Sequence, residues 1–286
     1  MKRFALPLLL LFALSGCGDG SGPIEERARE LRERAEQARE RAEKRGEKLV
    51  QRVREELERI RKSVPEATRD EQAPNSRGRR EQGRVAAFLT EIIGTVDRYW
   101  TRTLAANDLP EPRVNYLWIP PERAARSRCG AVADENAAFY CPADDTIYIG
   151  EQIAADVLDG VAANFPGQQA GYGRAVGDFG LAYLVAHEYA HNVQQELGLN
   201  GVDPRYGVEP VELQADCMAG LWGNSVYREG KIKPGDVEEA ISTALAVGDF
   251  EAGSPQHHGT PEERRAAWLL GYESGDPARC QEVAGV

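Results

Sequence analysis

No stretch of this 286-residue chain approaches the ~20 consecutive apolar residues that a helix needs to cross a bilayer. Positive charge is short too: 35 Lys and Arg stand against 46 Asp and Glu, a formal net charge of -11. That balance excludes the broad basic face used to bind nucleic acid, and any purely electrostatic docking on an anionic membrane. No internal repeat is visible, which removes solenoids and propellers. Histidine is scarce, four in all, so two of them in one helical turn carry information. Cysteine is limited to five, an odd number that needs explaining if the chain is exported.

What is present at the start reads as an export signal. Lys2 and Arg3 make a short positive region, and residues 4–14 make an apolar one too short to span. It runs into Leu14-Ser15-Gly16-Cys17, which looks like a bacterial lipobox, where Cys17 takes lipid and becomes the mature N-terminus. An ordinary cleaved signal with an incidental Cys is the alternative. With Cys17 lipidated, Cys129, Cys141, Cys217 and Cys280 remain, enough for two disulfides in an oxidising compartment. Of three connectivities, Cys129–Cys141 closing a short loop, with Cys217–Cys280, is favoured over free buried thiols.

Composition divides the chain into a signal peptide (1–16), a Gly/Ser tether (17–23), a charged helical stalk (24–63), a polar linker (64–83) and a catalytic-size domain (84–286). The stalk is rich in Glu, Arg, Lys and Ala, with i,i+4 ion pairs and a thin stripe of Leu and Ala. It reads either as a coiled coil that self-associates or as a solvated single helix. Within the domain, helical spacing predicts helices over 85–104, 152–161, 177–197, 210–228, 234–247 and 261–272. Short β-prone runs at 113–119 and 146–149 flank the Cys129/Cys141 loop. The fold class expected is α+β, mainly helical with a small antiparallel or mixed sheet.

The chemistry centres on His187-Glu188-Tyr189-Ala190-His191. Residues four apart project from one helix face, so both imidazoles can reach one Zn²⁺. Glu188 then sits as general base for a water at the metal. Glu212 and Asp216, again four apart on the next predicted helix, supply the third metal ligand and an acceptor for the distal nitrogen of a ligand His. A capping or surface carboxylate pair is the bland alternative for these two.

Three stretches of this chain, His187 to Gln194, Glu212 to Trp222 and His258-Gly259-Thr260 with Arg264, resemble the neutral zinc metallopeptidase family. So do Phe139-Tyr140-Cys141-Pro142 and Thr146-Ile147-Tyr148-Ile149; the resemblance spans from about residue 83 to the C-terminus. It implies a zincin-like fold with one Zn²⁺ held by His187, His191 and Glu212. It further implies that Thr146 to Ile149 is the edge strand above the metal, against which an extended peptide pairs. His258, before a helix opened by Thr260 and Pro261, is expected to stabilise an oxyanion or touch substrate, or only to order its loop. Arg264 is as well suited to anchoring that loop through a carboxylate.

The expected activity is zinc-dependent peptide hydrolysis in the bacterial cell envelope, on a domain lipid-anchored outside the cytoplasm. A metal-dependent amidase acting on a non-peptide envelope substrate keeps the same site. A non-catalytic lipoprotein with a structural zinc does not explain Glu188. The expected partners are a peptide or protein substrate and a membrane reached through the anchor, with no nucleic acid.

Overall fold

The computed structural model describes residues 82–201, 207–251 and 253–283. The signal peptide, Cys17, the tether and the stalk lie outside the described residues, as does the linker up to residue 81. Among the described residues no helix is long and apolar enough to cross a membrane.

The first helix, α1 (Gln82–Ala105), begins within the last two residues assigned to the linker. It buries Val85, Leu89, Ile93, Val96, Trp100 and Leu104, one stripe at spacings of three and four. A small three-stranded sheet follows. Strands β1 (Asn115–Ile119), β4 (Ala138–Cys141) and β5 (Thr146–Gly150) lie in the order β1-β5-β4, β5 parallel to β1 and antiparallel to β4. The expectation for Thr146 to Ile149 is therefore corrected. This strand is the centre of the sheet, bonded on both sides, and has no free edge for a peptide. Its run of buried residues (Ile147, Tyr148, Ile149) reflects that central position. A two-residue pair, β2 (Ala125–Arg126) with β3 (Val132–Ala133), fills the intervening loop, and Cys129 at its turn bonds Cys141.

The remaining elements are α2 (Glu151–Leu158), α3 (Pro166–Gln169), α4 (Gly177–Glu196), α5 (Glu209–Arg228), α6 (Asp236–Val247) and α7 (Pro261–Ser274), then a 3₁₀ turn (Pro277–Arg279) and α8 (Cys280–Val283). The mixed, mainly helical class is as expected, and the predicted helices differ from these bounds by a few residues at most. Among the described residues α3, the 3₁₀ turn and α8 are new. Helix α7 starts on a capping box: the Thr260 hydroxyl accepts the Glu263 N–H, and Glu263 accepts the Thr260 N–H.

Helix α4 runs through the middle, touching α1, α2, α5, α6 and β4. It is buried around almost its whole circumference from Phe179 to Gln194. Several of its polar residues hold neighbouring elements. Tyr189, fully buried, donates to Asp97 of α1 at 2.7 Å. Asn192 donates to the Arg113 carbonyl at 2.7 Å and to Asp145 at 2.8 Å, tying the sheet's β4–β5 turn to the helix. Helices α5 and α7 pack backbone to backbone. A Cβ added at Gly271 would sit 1.9 Å from the Cys217 carbonyl oxygen, and one at Gly220 would sit 2.1 Å from that of Trp268. The Cys217–Cys280 disulfide fastens α5 to the C-terminal α8.

Candidate metal centre

His187 and His191 on α4 face Glu212 on α5. The two Nε2 atoms are 3.2 Å apart. The carboxylate of Glu212 lies with Oε2 3.2 Å from His187 Nε2 and Oε1 3.4 Å from His191 Nε2. Ligand atoms at the corners of a tetrahedron around zinc, at bonds of about 2.0–2.1 Å, are separated by about 3.3 Å. The two imidazole nitrogens and the carboxylate therefore already converge as ligands of one ion would.

Their hydrogen bonds show which nitrogens are free. His187 Nδ1 is 2.8 Å from Asp216 Oδ1, and His191 Nδ1 is 2.8 Å from Gln194 Oε1. Gln194 is oriented by its own NH₂ group, which donates to the Val211 carbonyl at 2.8 Å and to Gln214 Oε1 at 3.1 Å. Its oxygen is thus the atom left for His191, and His191 Nδ1 must be the donor. Asp216 likewise accepts from His187. Both Nε2 atoms then present lone pairs, and with Glu212 they form three converging acceptor groups, with the Arg264 Nη2 donor 3.3 Å from His187 Nε2. A cation satisfies that arrangement.

Asp216 is fully buried, and its carboxylate is saturated: Tyr183 donates at 2.6 Å and Arg264 through Nε at 2.7 Å and Nη2 at 3.0 Å. Burial alone would raise this carboxyl, but Arg264 and then His187 hold it below its ordinary value. Arg264, itself buried and raised further by Asp216, brings Nη2 to 3.3 Å from the His187 ring and 3.9 Å from Glu212. In the metal-free chain burial pulls His187 down, yet Asp216 lifts it to about 10. Burial opposes the ionisation of Glu212 as well, but the charge of His191 and a hydrogen bond from His187 bring it well below the ordinary carboxylate range. Negative charge around the two imidazoles thus favours a cation at their meeting point, proton or metal.

Glu188, next to His187 and buried, makes no hydrogen bond among the described residues, and its charge reaches His191. His257 and His258 diverge. His257 is 4% exposed, with Nδ1 on Asp249. The side chain of His258 is 48% exposed, with its N–H donated to Asp249 at 2.9 Å and Nδ1 3.2 Å from the same oxygen. Neither joins the atoms converging between α4 and α5. Tyr183 and Gln194 escaped the sequence reading as positioning residues, although each sits one helical turn from a motif histidine. Arg264 does bind a carboxylate, but that carboxylate is Asp216 in the interior. Asp249, the acceptor for both loop histidines, has no sequence signal.

The family model described as "Putative neutral zinc metallopeptidase" matches residues 54–283. The chain belongs to this family. The match to the neutral zinc metallopeptidases begins at residue 54, so it includes the end of the segment read as stalk and the linker, further than the motifs alone indicate. Among related proteins, one from Escherichia coli (strain K12), "Uncharacterized protein YpfJ", is 31% identical over 217 residues, covering 68% of this chain and 70% of its own. One from Mycobacterium tuberculosis (strain H37Rv), "Uncharacterized protein Rv2575", is 32% identical over 178 residues, 53% of this chain and 57% of its own. No solved structure matches the chain. Membership of a zinc peptidase family agrees with the donor set of two imidazoles and a carboxylate, which suits zinc.

Proposed function

We propose that this chain is a zinc-dependent endopeptidase of the bacterial cell envelope, with a zincin-like domain held to the membrane by lipid on Cys17. The observation that carries the reading is the convergence of two lone-pair nitrogens and one carboxylate beside Glu188, a buried carboxylate with no structural bond to make. His187, His191 and Glu212 hold the ion, and a single protein carboxylate leaves room for water. Zinc bound there lowers the pKa of water and polarises a carbonyl. Glu188 takes the proton from the attacking water and returns it to the leaving amine nitrogen. Asp216 holds His187 in the tautomer that presents Nε2, and Arg264 and Tyr183 hold Asp216 ionised and oriented.

An extended peptide needs a free strand edge near α4. The edge strand β4 packs against α4, and its side away from β5 is unpaired among the described residues, so β4 takes the place of Thr146 to Ile149 in this role. His258, half-exposed, is the candidate contact to the substrate carbonyl once a peptide is bound.

The deciding experiment uses the full chain loaded with zinc and a library of unstructured peptides. Cleavage by the wild type that disappears in Glu188→Gln, with zinc still bound, supports the reading; cleavage that survives the change removes it. If the wild type cleaves no peptide but releases amine from cell-wall material, the amidase reading takes its place. For the anchor, Cys17→Ser should shift the chain from the membrane fraction to the soluble one, and an unchanged distribution overturns that part.

A further inference from the structure

A second convergence of metal-binding side chains lies at the starts of α5 and α7, under the loop that carries His257. The segment between α6 and α7 folds over the starts of α5 and α7. Val208 donates to the Pro255 carbonyl at 3.2 Å, and Asp249 and Gly259 close the segment's base at 3.0 Å. Beneath it His257 is buried, 4% exposed. A ring nitrogen of His257 and one carboxylate oxygen each from Glu209 and Glu263 lie within 4.8 Å of one another.

The hydrogen bonds again identify the free nitrogen. Asp249 accepts the N–H of Glu251 on Oδ1 and that of His258 on Oδ2, both at 2.9 Å, so its oxygens act as acceptors. His257 Nδ1, in contact with Oδ1, is therefore the donor. That leaves Nε2 as a lone pair on a buried ring, and Nε2 has no hydrogen-bond partner among the described residues. Glu263 spends Oε2 on the cap of α7, accepting from the Thr260 N–H and hydroxyl at 2.9 and 2.7 Å; Oε1 makes no hydrogen bond among the described residues. A carboxylate behind an imidazole, with further carboxylates in front of it, repeats the arrangement of Asp216, His187 and Glu212.

We propose that His257, Glu209 and Glu263, backed by Asp249, form a second divalent-metal site. The mixed nitrogen and oxygen donors favour Zn²⁺ or a similar transition ion over the all-oxygen preference of Ca²⁺. Glu209 stands one turn before Glu212 on α5, and Glu263 immediately before Arg264 on α7. An ion there clamps the loop to the two helix starts that carry a ligand of the first centre and the arginine behind it. The role is structural, and its occupancy sets how firmly Glu212 and Arg264 are held.

The test is zinc stoichiometry, measured by elemental analysis of the full chain after demetallation, ZnCl₂ loading and gel filtration. The wild type should carry two zinc ions per chain. His257→Gln and, separately, Glu209→Gln should each carry one, His191→Gln should carry one, and the double variant His257→Gln/His191→Gln none. A wild type with one ion that His191→Gln abolishes and His257→Gln retains overturns the second site and leaves the proposed peptidase centre standing. One ion lost in His257→Gln but kept in His191→Gln does the reverse. Glu209→Gln, at a partly exposed position, covers the case in which His257→Gln fails to fold. As a second readout, ZnCl₂ should still raise the melting temperature of His191→Gln by several degrees, and adding His257→Gln should abolish that shift.

Discussion

Asp216 grips His187 through Nδ1 in the interior, between α4 and α5, while Asp249 grips His257 through Nδ1 under a surface segment. The interior carboxylate is backed by side chains, the guanidinium of Arg264 and the hydroxyl of Tyr183; the surface one is backed by backbone N–H groups of its own loop. A third cluster, Asp178 with Asp236 and Glu239, has carboxylates within the same distance but no imidazole. Burial pushes two of its carboxyls, Asp236 and Glu239, above their ordinary values. Burial, with Asp178 and Asp236 nearby, lifts Glu239 to about 7 even though its carboxylate accepts the Phe179 N–H at the start of α4. Burial pushes the carboxylate cluster toward protonation, whereas an imidazole pinned by its own carboxylate offers one fixed nitrogen to a cation, proton or metal.

The sharpest way to break this comparison is Glu188→Gln. If the interior site is catalytic, peptide turnover should fall about 10²- to 10⁴-fold with zinc content unchanged. Next in size is the staple beside that site. Cys217 follows Asp216 and bonds Cys280 across a separation of 63 residues, whereas Cys129–Cys141 closes only 12. Chain-entropy arguments give about 4 kcal/mol for the longer loop and about 3 kcal/mol for the shorter. Denaturant unfolding of the paired Ser variants should rank them in that order, and only the first should also weaken zinc binding. Replacing Asp216 by Asn should then lower zinc affinity about 10- to 100-fold, because His187 loses the anionic acceptor that fixes its tautomer. Competition against a chelator measures this.

The smallest effect is the pH response of the metal-free cluster. A carboxyl whose folded pKa is raised above about 4.3 contributes stability that is present below that value and lost as pH climbs toward 7. Thermal melts should therefore show the wild type losing stability between about pH 4.5 and 7 relative to Glu239→Gln. A flat difference across that window would show that Glu239 titrates normally.

The helices were legible because their signals are local. His187, Glu188 and His191 share one turn, Thr260 and Pro261 announce α7, and Glu212 and Asp216 keep the i,i+4 spacing. What escaped is long-range. Nothing in Thr146 to Ile149 tells a central strand from an edge, since both read as short apolar runs, and only the pairing with Asn115 to Ile119 and Ala138 to Cys141 decides. Arg264 reaches Asp216 across 48 positions, and Asp97 reaches Tyr189 across 92. The adjacent pair His257-His258 looks uniform in sequence, yet one ring is buried and the other half-exposed, because their shared partner Asp249 lies on the opposite limb of the loop.

The contact between α5 and α7 has a consequence for how this protein can vary. Every single-base change in a glycine codon that alters the residue adds a Cβ or ends the chain, and at position 271 a Cβ would stand 1.9 Å from a backbone oxygen. The helix must then move away, and it carries Arg264 at its other end. For a gene encoding this chain, position 271 has no mild missense neighbour: each accessible allele reaches Asp216 and His187 through a shift of backbone and not through any change in the site's own residues.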